Sequence, residues 1–147
     1  MAVNRASIVD SNFKSWLAEK TQQPNQPVHS IPRHIDKNRL IEIFESMVAS
    51  RLLDIHAREL KADGHSFYTI GSSGHEANAC VAAALRVTDP AYLHYRSGPF
   101  FVQRSKQHPH VHGLFDVLLG LVASADEPIA GGRHKGFSSL PLNIPPH

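Results

Sequence analysis

The residues best suited to chemistry form the triplet His94-Tyr95-Arg96, which follows a short apolar step at Tyr92 and Leu93. An arginine offers a planar fork of donors and a tyrosine offers a hydroxyl on a rigid ring, so the pair suits a phosphate or a diphosphate. We interpret the apolar step as a short strand, because ligands of open α/β sheets commonly bind where strands end. The alternative is an exposed arginine beside a half-buried tyrosine, with no ligand.

The elements that lead to this triplet are a glycine-serine turn, Gly71 to Gly74, and a small-residue helix predicted from about His75 to Arg86. Alanine is the strongest helix former, and so slim a helix can pack very close to another element. We therefore predict that this helix is buried at a domain or subunit contact, with Cys80 inside it as a small hydrophobe. His75 and Glu76 are interpreted as residues that cap its first turn, where a carboxylate suits the helix dipole.

The longest predicted helix runs from Asp36 to Ala62, with Asp36 as its N-cap and Gly64 as its stop. At the α-helical rise per residue it extends roughly 40 Å, and we expect a helix of that length to pack across a large partner surface. Its apolar residues recur at helical spacing; they are Leu40, Ile43, Phe44, Met47, Val48, Leu52, Ile55 and Leu60.

Residues 1–35 are predicted to be an N-terminal arm and linker, ahead of a domain that spans residues 36–147. Ser11 is predicted to cap a short amphipathic helix from Asn12 to Lys20. The stretch from Thr21 to Pro32 is rich in proline and glutamine, which is typical of a linker. Two interpretations stay open: a flexible N-terminal leader, or an arm that packs Trp16 against a neighbouring subunit.

Two further helices are predicted after the triplet, from Pro99 to about Gln107 and from Leu114 to Ala123, and residues 126–147 are predicted to be loop without a core pattern. Between the helices, His108 to His112 reads HPHVH, and in an extended strand the three histidines would share one side. Pro109 favours a loop instead, and no cysteine or carboxylate lies beside them. Adventitious metal binding is therefore favoured over a native metal site.

Composition narrows the class of protein. The chain of 147 residues can bury a core, and its 15 lysines and arginines against 13 aspartates and glutamates give a net charge of +2. The basic residues are scattered and lack interleaved aromatic residues, which argues against nucleic-acid binding. The single cysteine excludes an intrachain disulfide and suits the cytoplasm. With neither a signal peptide nor an apolar run of spanning length, we expect a soluble protein without a membrane partner.

Taken together, GSSGHEA, the small-residue helix and the strand ending in HYR resemble the alpha-type part of the thiamine-diphosphate-dependent 2-oxo acid dehydrogenases. These are the decarboxylating first components of the pyruvate and branched-chain complexes. The long helix and the later GGRHKG support the resemblance, which runs from about Asp36 to the C-terminus. It implies a mainly α chain with a partial α/β element, with four or five helices and one or two short strands. Residues 36–147 would then be an incomplete thiamine-diphosphate-binding domain.

The resemblance also implies roles for particular residues. Tyr95 and Arg96 match the pair that contacts the cofactor diphosphate in this family, and His94 would line the same pocket. Tyr68 stands at the family position of an aromatic wall on the substrate side, which Tyr95 would share. Lys135, in GGRHKG, would approach the active-site mouth, although the family more often has a G-R-x-M-like sequence there; a solvated basic loop is the alternative. No catalytic residue and no metal ligand is assigned to this chain.

The family holds its magnesium ion through a GDG motif, which this sequence lacks, and its beta-type half supplies the glutamate that activates the thiazolium. The resemblance therefore implies thiamine diphosphate with magnesium only in the intact enzyme, with the beta-type half and a lipoyl acyltransferase as partners. That enzyme would oxidatively decarboxylate a 2-oxo acid, branched-chain first and pyruvate second, and pass the acyl group to the lipoyl arm.

This chain alone is expected to be inactive, either as the N-terminal fragment of a longer enzyme or as a naturally shortened product. An incomplete sheet leaves an unpaired edge, so we expect the chain to form a homo-oligomer. The alternative function is a catalytically silent helical assembly module.

Overall fold

The computed structural model of the chain describes residues 3–22, 34–67, 69, 71–133 and 136–146. The chain divides into two compact units, Met1–Ile35 and Asp36–His147. The helices in the described residues are α1 (Arg5–Gln22), α2 (Lys37–Ala62), α3 (Asn78–Ala84), α4 (Gly98–Ser105) and α5 (Gly113–Leu121). The expectation of a mainly helical chain is confirmed. None of these helices combines the length and the apolar character needed to span a bilayer.

In the first unit, α1 begins seven residues earlier than the predicted start at Asn12. The predicted cap, Ser11, lies inside the helix, and it is the Asn4 side chain that accepts the Ser7 N–H, at 3.2 Å. The predicted linker from Thr21 lies outside the described residues beyond Gln22, where α1 ends. The rings of Phe13 and Trp16 stack with centroids 6.2 Å apart on the exposed surface of this unit.

In the second unit, α2 has nearly the predicted bounds, and Asp36 is its N-cap, whose side chain accepts the Asn38 N–H at 3.0 Å. The helix ends where Gly64 takes a positive φ of 79°. Its buried face is polar or small rather than apolar, and consists of Ser46, Ser50, Asp54 and Ala57. The apolar residues that made the helix easy to predict lie largely on its opposite, exposed face.

A chain of buried and part-buried hydrogen bonds joins α2 to α4. The Gln103 amide donates to the Glu42 carboxylate at 2.6 Å and accepts from the Ser46 hydroxyl at 2.7 Å, while Arg39 donates to the same carboxylate at 2.7 Å. Burial alone would raise the pKa of Glu42, but the bonds from Gln103 and Arg39 outweigh it and hold the pKa below its usual value. Polar contacts thus fix the α2–α4 interface where apolar packing would be expected.

α3 is shorter than predicted and buries only one face. Ala79 and Ala82 are fully buried against α4, whereas Cys80 is exposed, so the prediction of a buried cysteine was wrong. The cap of α3 is Ala77, without a side-chain bond. The capping role predicted for Glu76 was therefore wrong too, and its carboxylate lies 3.6 Å from the Arg51 guanidinium instead.

The short strand predicted at Tyr92 and Leu93 does not form there. Within the described part of the chain, strand pairing is limited to one isolated antiparallel bridge, between Ser139 and Ile144. Residues 91–94 have no regular secondary structure and share one backbone hydrogen bond with this segment, from the Ala91 N–H to the Asn143 carbonyl at 3.1 Å.

The hydrophobic core lies between α3, α4 and the C-terminal segment. Leu142 and Ile144 belong to it, so the prediction that residues 126–147 lack core residues was wrong. The buried cluster comprises Ala82, Ala91, Leu93, Phe100, Phe101, Leu142 and Ile144. Every residue of α4 is buried, which makes this short helix the centre of the second unit.

Candidate functional site

The turn at residues 71–74 is held by a carboxylate that projects from the buried face of α2. Asp54 accepts the Ser72 N–H at 2.8 Å and the Ser72 hydroxyl at 2.9 Å, and it pairs with Arg51 at 2.6 Å. The Ser72 hydroxyl also lies 2.9 Å from the Ser50 hydroxyl. These bonds fix the backbone of the turn against α2.

Arg96 connects this turn to the predicted triplet. Its guanidinium donates to the Gly71 carbonyl at 2.7 Å and stands over the Tyr95 ring, 5.2 Å from its centroid. The His94 ring lies 3.7 Å from the Tyr95 ring, and its Nδ1 accepts the Arg96 N–H at 3.3 Å. Triplet and turn, which are about 25 residues apart in sequence, thus form one cluster of side chains and carbonyls.

α4 begins two residues after Arg96 and lies close against α2 at that point. A Cβ at Gly98 would meet the Ser50 Oγ at 2.7 Å, so a larger residue at this position would displace the Ser50 hydroxyl from its contact with Ser72. The Ser97 N–H donates back to the His94 carbonyl at 2.8 Å and closes the turn that carries Tyr95. The site is therefore built from the end of this turn, the N-terminus of α4 and the middle of α2.

A narrow cleft with an internal volume of about 50 Å³ opens beside Tyr95. Its walls include Phe101 from α4, Asp116 from α5 and Phe137 from the C-terminal segment. Glu127 closes one end, where it accepts the backbone N–H groups of residues 129, 130 and 132 at 3.1, 2.7 and 3.3 Å. An apolar cleft with two carboxylates adjoins the triplet.

The stretch Gly131–Arg133, predicted to be a flexible loop, is a series of turns organised by Glu127. Both Gly131 and Gly132 have positive φ, and a Cβ at Gly132 would meet the Ala123 carbonyl carbon at 2.4 Å. Tyr68, His134 and Lys135 lie outside the described residues, so their predicted roles at the pocket stay predictions.

The HPHVH segment forms a turn and not an extended strand. The rings of His108 and His110 meet edge to face at 5.8 Å, and His112 is exposed at the N-terminus of α5. Across the described ranges of the chain, no group of three or more histidine, cysteine, aspartate or glutamate side chains is arranged to hold a metal ion.

Several residues of this site escaped the sequence analysis. Asp54 and Ser50 stand four residues apart on the face of α2 opposite its apolar residues, and that polar pairing is a signal the sequence does contain. Asp116 and Glu127 had no comparable pattern, because they meet the cleft from different segments.

Burial raises the pKa of the Asp116 carboxyl, and the nearby Glu127 carboxylate adds to this effect while His112 opposes it. A raised pKa means that the folded state prefers the protonated acid, so ionised Asp116 destabilises the fold at neutral pH. Asp116→Asn is expected to raise the free energy of unfolding at neutral pH. The gain should fade as pH falls toward about 4 and be absent below it, where the carboxyl is protonated in the folded and the unfolded state alike.

Urea unfolding of both proteins at several pH values checks this expectation. Asp126→Asn, which removes the same charge from an exposed position, is the control and should change stability little. A loss of stability in Asp116→Asn at neutral pH would contradict the prediction.

No family model matches the chain, and no solved structure matches it.

Proposed function

We propose that this chain is the N-terminal alpha-type region of a thiamine-diphosphate-dependent 2-oxo acid dehydrogenase, the component that decarboxylates the 2-oxo acid. The single observation that carries the proposal is the cluster in which Arg96, beside Tyr95, is tied to Gly71 of the GSSGHEA turn. The two motifs on which the resemblance rests are thus in contact. A chance likeness of two short motifs would give no reason for that contact.

The residues fit the diphosphate half of thiamine diphosphate. Arg96 makes one side-chain hydrogen bond to a described residue, through Nη1, which leaves further donors for phosphate oxygens. α4 starts two residues later, and helix N-termini attract anions. Tyr95 is 41% exposed, so its ring is accessible beside these donors. Metal ligands of the family's GDG type are absent from the sequence, so the magnesium ion would need further protein.

When bound, thiamine diphosphate supplies the electron sink for decarboxylation of a 2-oxo acid. This chain's part is to bind and orient the phosphates through Arg96 and the turn at Gly71. A branched-chain 2-oxo acid is the first proposed substrate and pyruvate the second; the order rests on the resemblance, and the mainly apolar lining of the cleft beside Tyr95 is compatible with it. Tyr68 and Lys135 belong to the same proposal as substrate contacts, and His94 as a wall of the cofactor pocket. The beta-type half and a lipoyl acyltransferase are the proposed partners, and the cytoplasm is the proposed location.

Calorimetric titration of the chain with thiamine diphosphate and magnesium, and separately with inorganic diphosphate, tests the proposal. We expect saturable binding of both ligands. Arg96→Ala should weaken both by about 10- to 100-fold, because a charge-assisted hydrogen bond contributes about 1.5–3 kcal/mol.

Arg86→Ala is the matched control, since Arg86 is an exposed arginine paired with Asp89 outside the cluster. It should leave both affinities unchanged. Equal affinities in Arg96→Ala and the parent, or no binding of either ligand, would count against the proposed site.

The second candidate, a silent helical assembly module, is favoured by the exposed apolar face of α2. It predicts a defined oligomer without affinity for either ligand. The same titration separates the two functions, because only the first candidate predicts saturable binding of thiamine diphosphate and diphosphate.

A further inference from the structure

The polar face of α2 is buried and its apolar face is exposed, which is the reverse of the usual arrangement for a surface helix. The residues that face the core are Ser46, Ser50, Asp54 and Ala57, and the hydrogen bonds of Ser46, Ser50 and Asp54 tie them to α4 and to the turn at 71–74. The residues that face water form an apolar stripe, and their exposed fractions are Ile41 56%, Phe44 63%, Val48 40%, Leu52 59% and Ile55 40%. A helix that faced only solvent on this side would have its polar residues there.

The apolar stripe is large enough to be an interface. It continues onto α5, where Leu114 is 43% and Phe115 60% exposed, and a groove between the helices is lined by Leu52, Leu53 and Leu118. Taking about 150–250 Å² for each fully exposed phenylalanine and somewhat less for each aliphatic side chain, the exposed fractions leave roughly 600 Å² of apolar surface in water. That is at the upper end of what monomers expose, and close to the ~800 Å² that each partner contributes to a standard interface.

The pattern of the stripe is self-complementary. Ile41, Val48 and Ile55 are seven residues apart, the spacing at which two helices pack along a common seam. Around Val48 the stripe is symmetric: Ile41 and Ile55 stand equally far on either side, and so do Phe44 and Leu52. An antiparallel copy would place each member of these pairs against the other.

Charge distinguishes the antiparallel arrangement from the parallel one. Lys37 and Glu59 are both exposed and extend the stripe by one turn at either end, equally far from Val48. An antiparallel pair puts Lys37 of each copy beside Glu59 of the other, whereas a parallel pair puts like charges together. Opposite charges at the rim select orientation and register.

We propose that a second copy of this chain covers the apolar stripe, with the two α2 helices antiparallel around a two-fold axis at Val48. None of the residues of this interface belongs to the candidate site, so the dimer can be tested separately from ligand binding. It also names a surface for the self-association that the sequence analysis assigned to a sheet edge.

Oxidative cross-linking tests the position of the axis. In a Cys80→Ser background, which removes the exposed native thiol, Val48→Cys should give a covalent dimer, because residues on a two-fold axis meet their own copies. Ile41→Cys is the matched control: it is equally apolar, but it would lie roughly 21 Å from its own copy along antiparallel helices. A disulfide needs Cα atoms within about 7 Å, so Ile41→Cys should stay monomeric on the gel. Equal cross-linking by both variants would overturn the proposal.

Sedimentation equilibrium tests the pairing itself. At about 100 µM the parent should be a dimer, and a monomer at that concentration would overturn the proposal. Phe44→Lys and Leu52→Glu should each weaken the dimer by at least about 30-fold, as loss of a central contact does. Both positions are exposed, so circular dichroism should show an intact fold in each variant.

The double variant Phe44→Lys/Leu52→Glu gives the sharpest result. In the antiparallel pair each new lysine faces a new glutamate of the other copy, so dimerisation should recover at least tenfold over either single variant. In a parallel pair, lysine would face lysine and recovery would fail. Absence of recovery would therefore overturn the antiparallel arrangement.

Discussion

Arg104→Ala is expected to lower the free energy of unfolding by about 4 kcal/mol, the range found when large buried side chains are truncated. Arg104 is fully buried in α4. Its Nη1 donates to the Asp89 carbonyl at 2.7 Å and to the Leu142 carbonyl at 3.1 Å, and its guanidinium lies 5.0 Å from the centre of the Phe100 ring. Truncation would leave two carbonyls without a donor and a cavity in the core. Urea unfolding followed by circular dichroism measures the loss.

The buried positive charge of Arg104 offsets part of the stability that its contacts contribute. Nε and Nη2 are buried without a hydrogen-bond partner among the described residues, and burial lowers the pKa of the guanidinium, an effect that Asp89 only partly opposes. Arg104→Met keeps much of the volume and removes a poorly compensated charge, so it should lose clearly less stability than Arg104→Ala. Equal losses in the two variants would show that the carbonyl bonds alone matter.

Arg86→Ala is the control for the loss of an arginine as such. Its guanidinium is exposed and forms an ion pair with the same Asp89, at 2.9 Å. Exposed ion pairs contribute at most about 1 kcal/mol. A loss in Arg86→Ala as large as that in Arg104→Ala would mean that the turn at Asp89, and not the core, determines both effects.

The bounds of α2 could be predicted because local signals determine them. The Asp36 side chain accepts the backbone N–H of Asn38, and Gly64 adopts a positive φ, which glycine does at little energetic cost at the end of a helix. The grouping of His94, Tyr95 and Arg96 was equally accessible, since they are consecutive. The contact of Arg96 with Gly71 was not predicted, because local spacing does not determine a bond between distant segments.

Which face of α2 is buried could not be predicted from periodicity. The apolar residues define one face, but spacing does not say whether the chain itself or another molecule covers it. In this chain Ser50 and Asp54 lie on the buried face of α2, because their hydrogen bonds to Ser72 replace apolar contacts. The exposure of Cys80 was missed for the same reason. Small residues let α3 pack closely on one side, but they do not show that other elements cover its remaining sides.

The core residues of the C-terminal segment were not predicted, for a different reason. Leu142 and Ile144 stand two residues apart in a proline-rich stretch, too short a pattern to indicate a strand or a helix. They are buried because Asn143, at a φ of 51°, forms a tight turn and donates its side-chain amide to the Thr88 carbonyl at 2.8 Å. Asparagine tolerates this conformation better than most residues.

Asp54→Ala is expected to cost about 3 kcal/mol of stability, because it leaves Arg51 without its closest partner and the Ser72 N–H buried without an acceptor. The Asp54 side chain is only 10% exposed, so water replaces little of what is lost. Asp54→Asn keeps an acceptor for the Ser72 N–H and should lose clearly less. Asp126→Ala, at an exposed site, should stay within about 0.5 kcal/mol of the parent.

The same variants connect the fold to the candidate site. Asp54 fixes the turn whose Gly71 carbonyl receives Arg96, so loosening this turn removes the partner that orients the guanidinium. Asp54→Ala should therefore weaken diphosphate binding at a temperature where the variant is still folded, although Asp54 itself repels an anion. Removal of a nearby negative charge would by itself strengthen binding. Weaker binding in Asp54→Ala would therefore support the orienting role, and tighter binding would mean that Arg96 reaches the ligand without the turn.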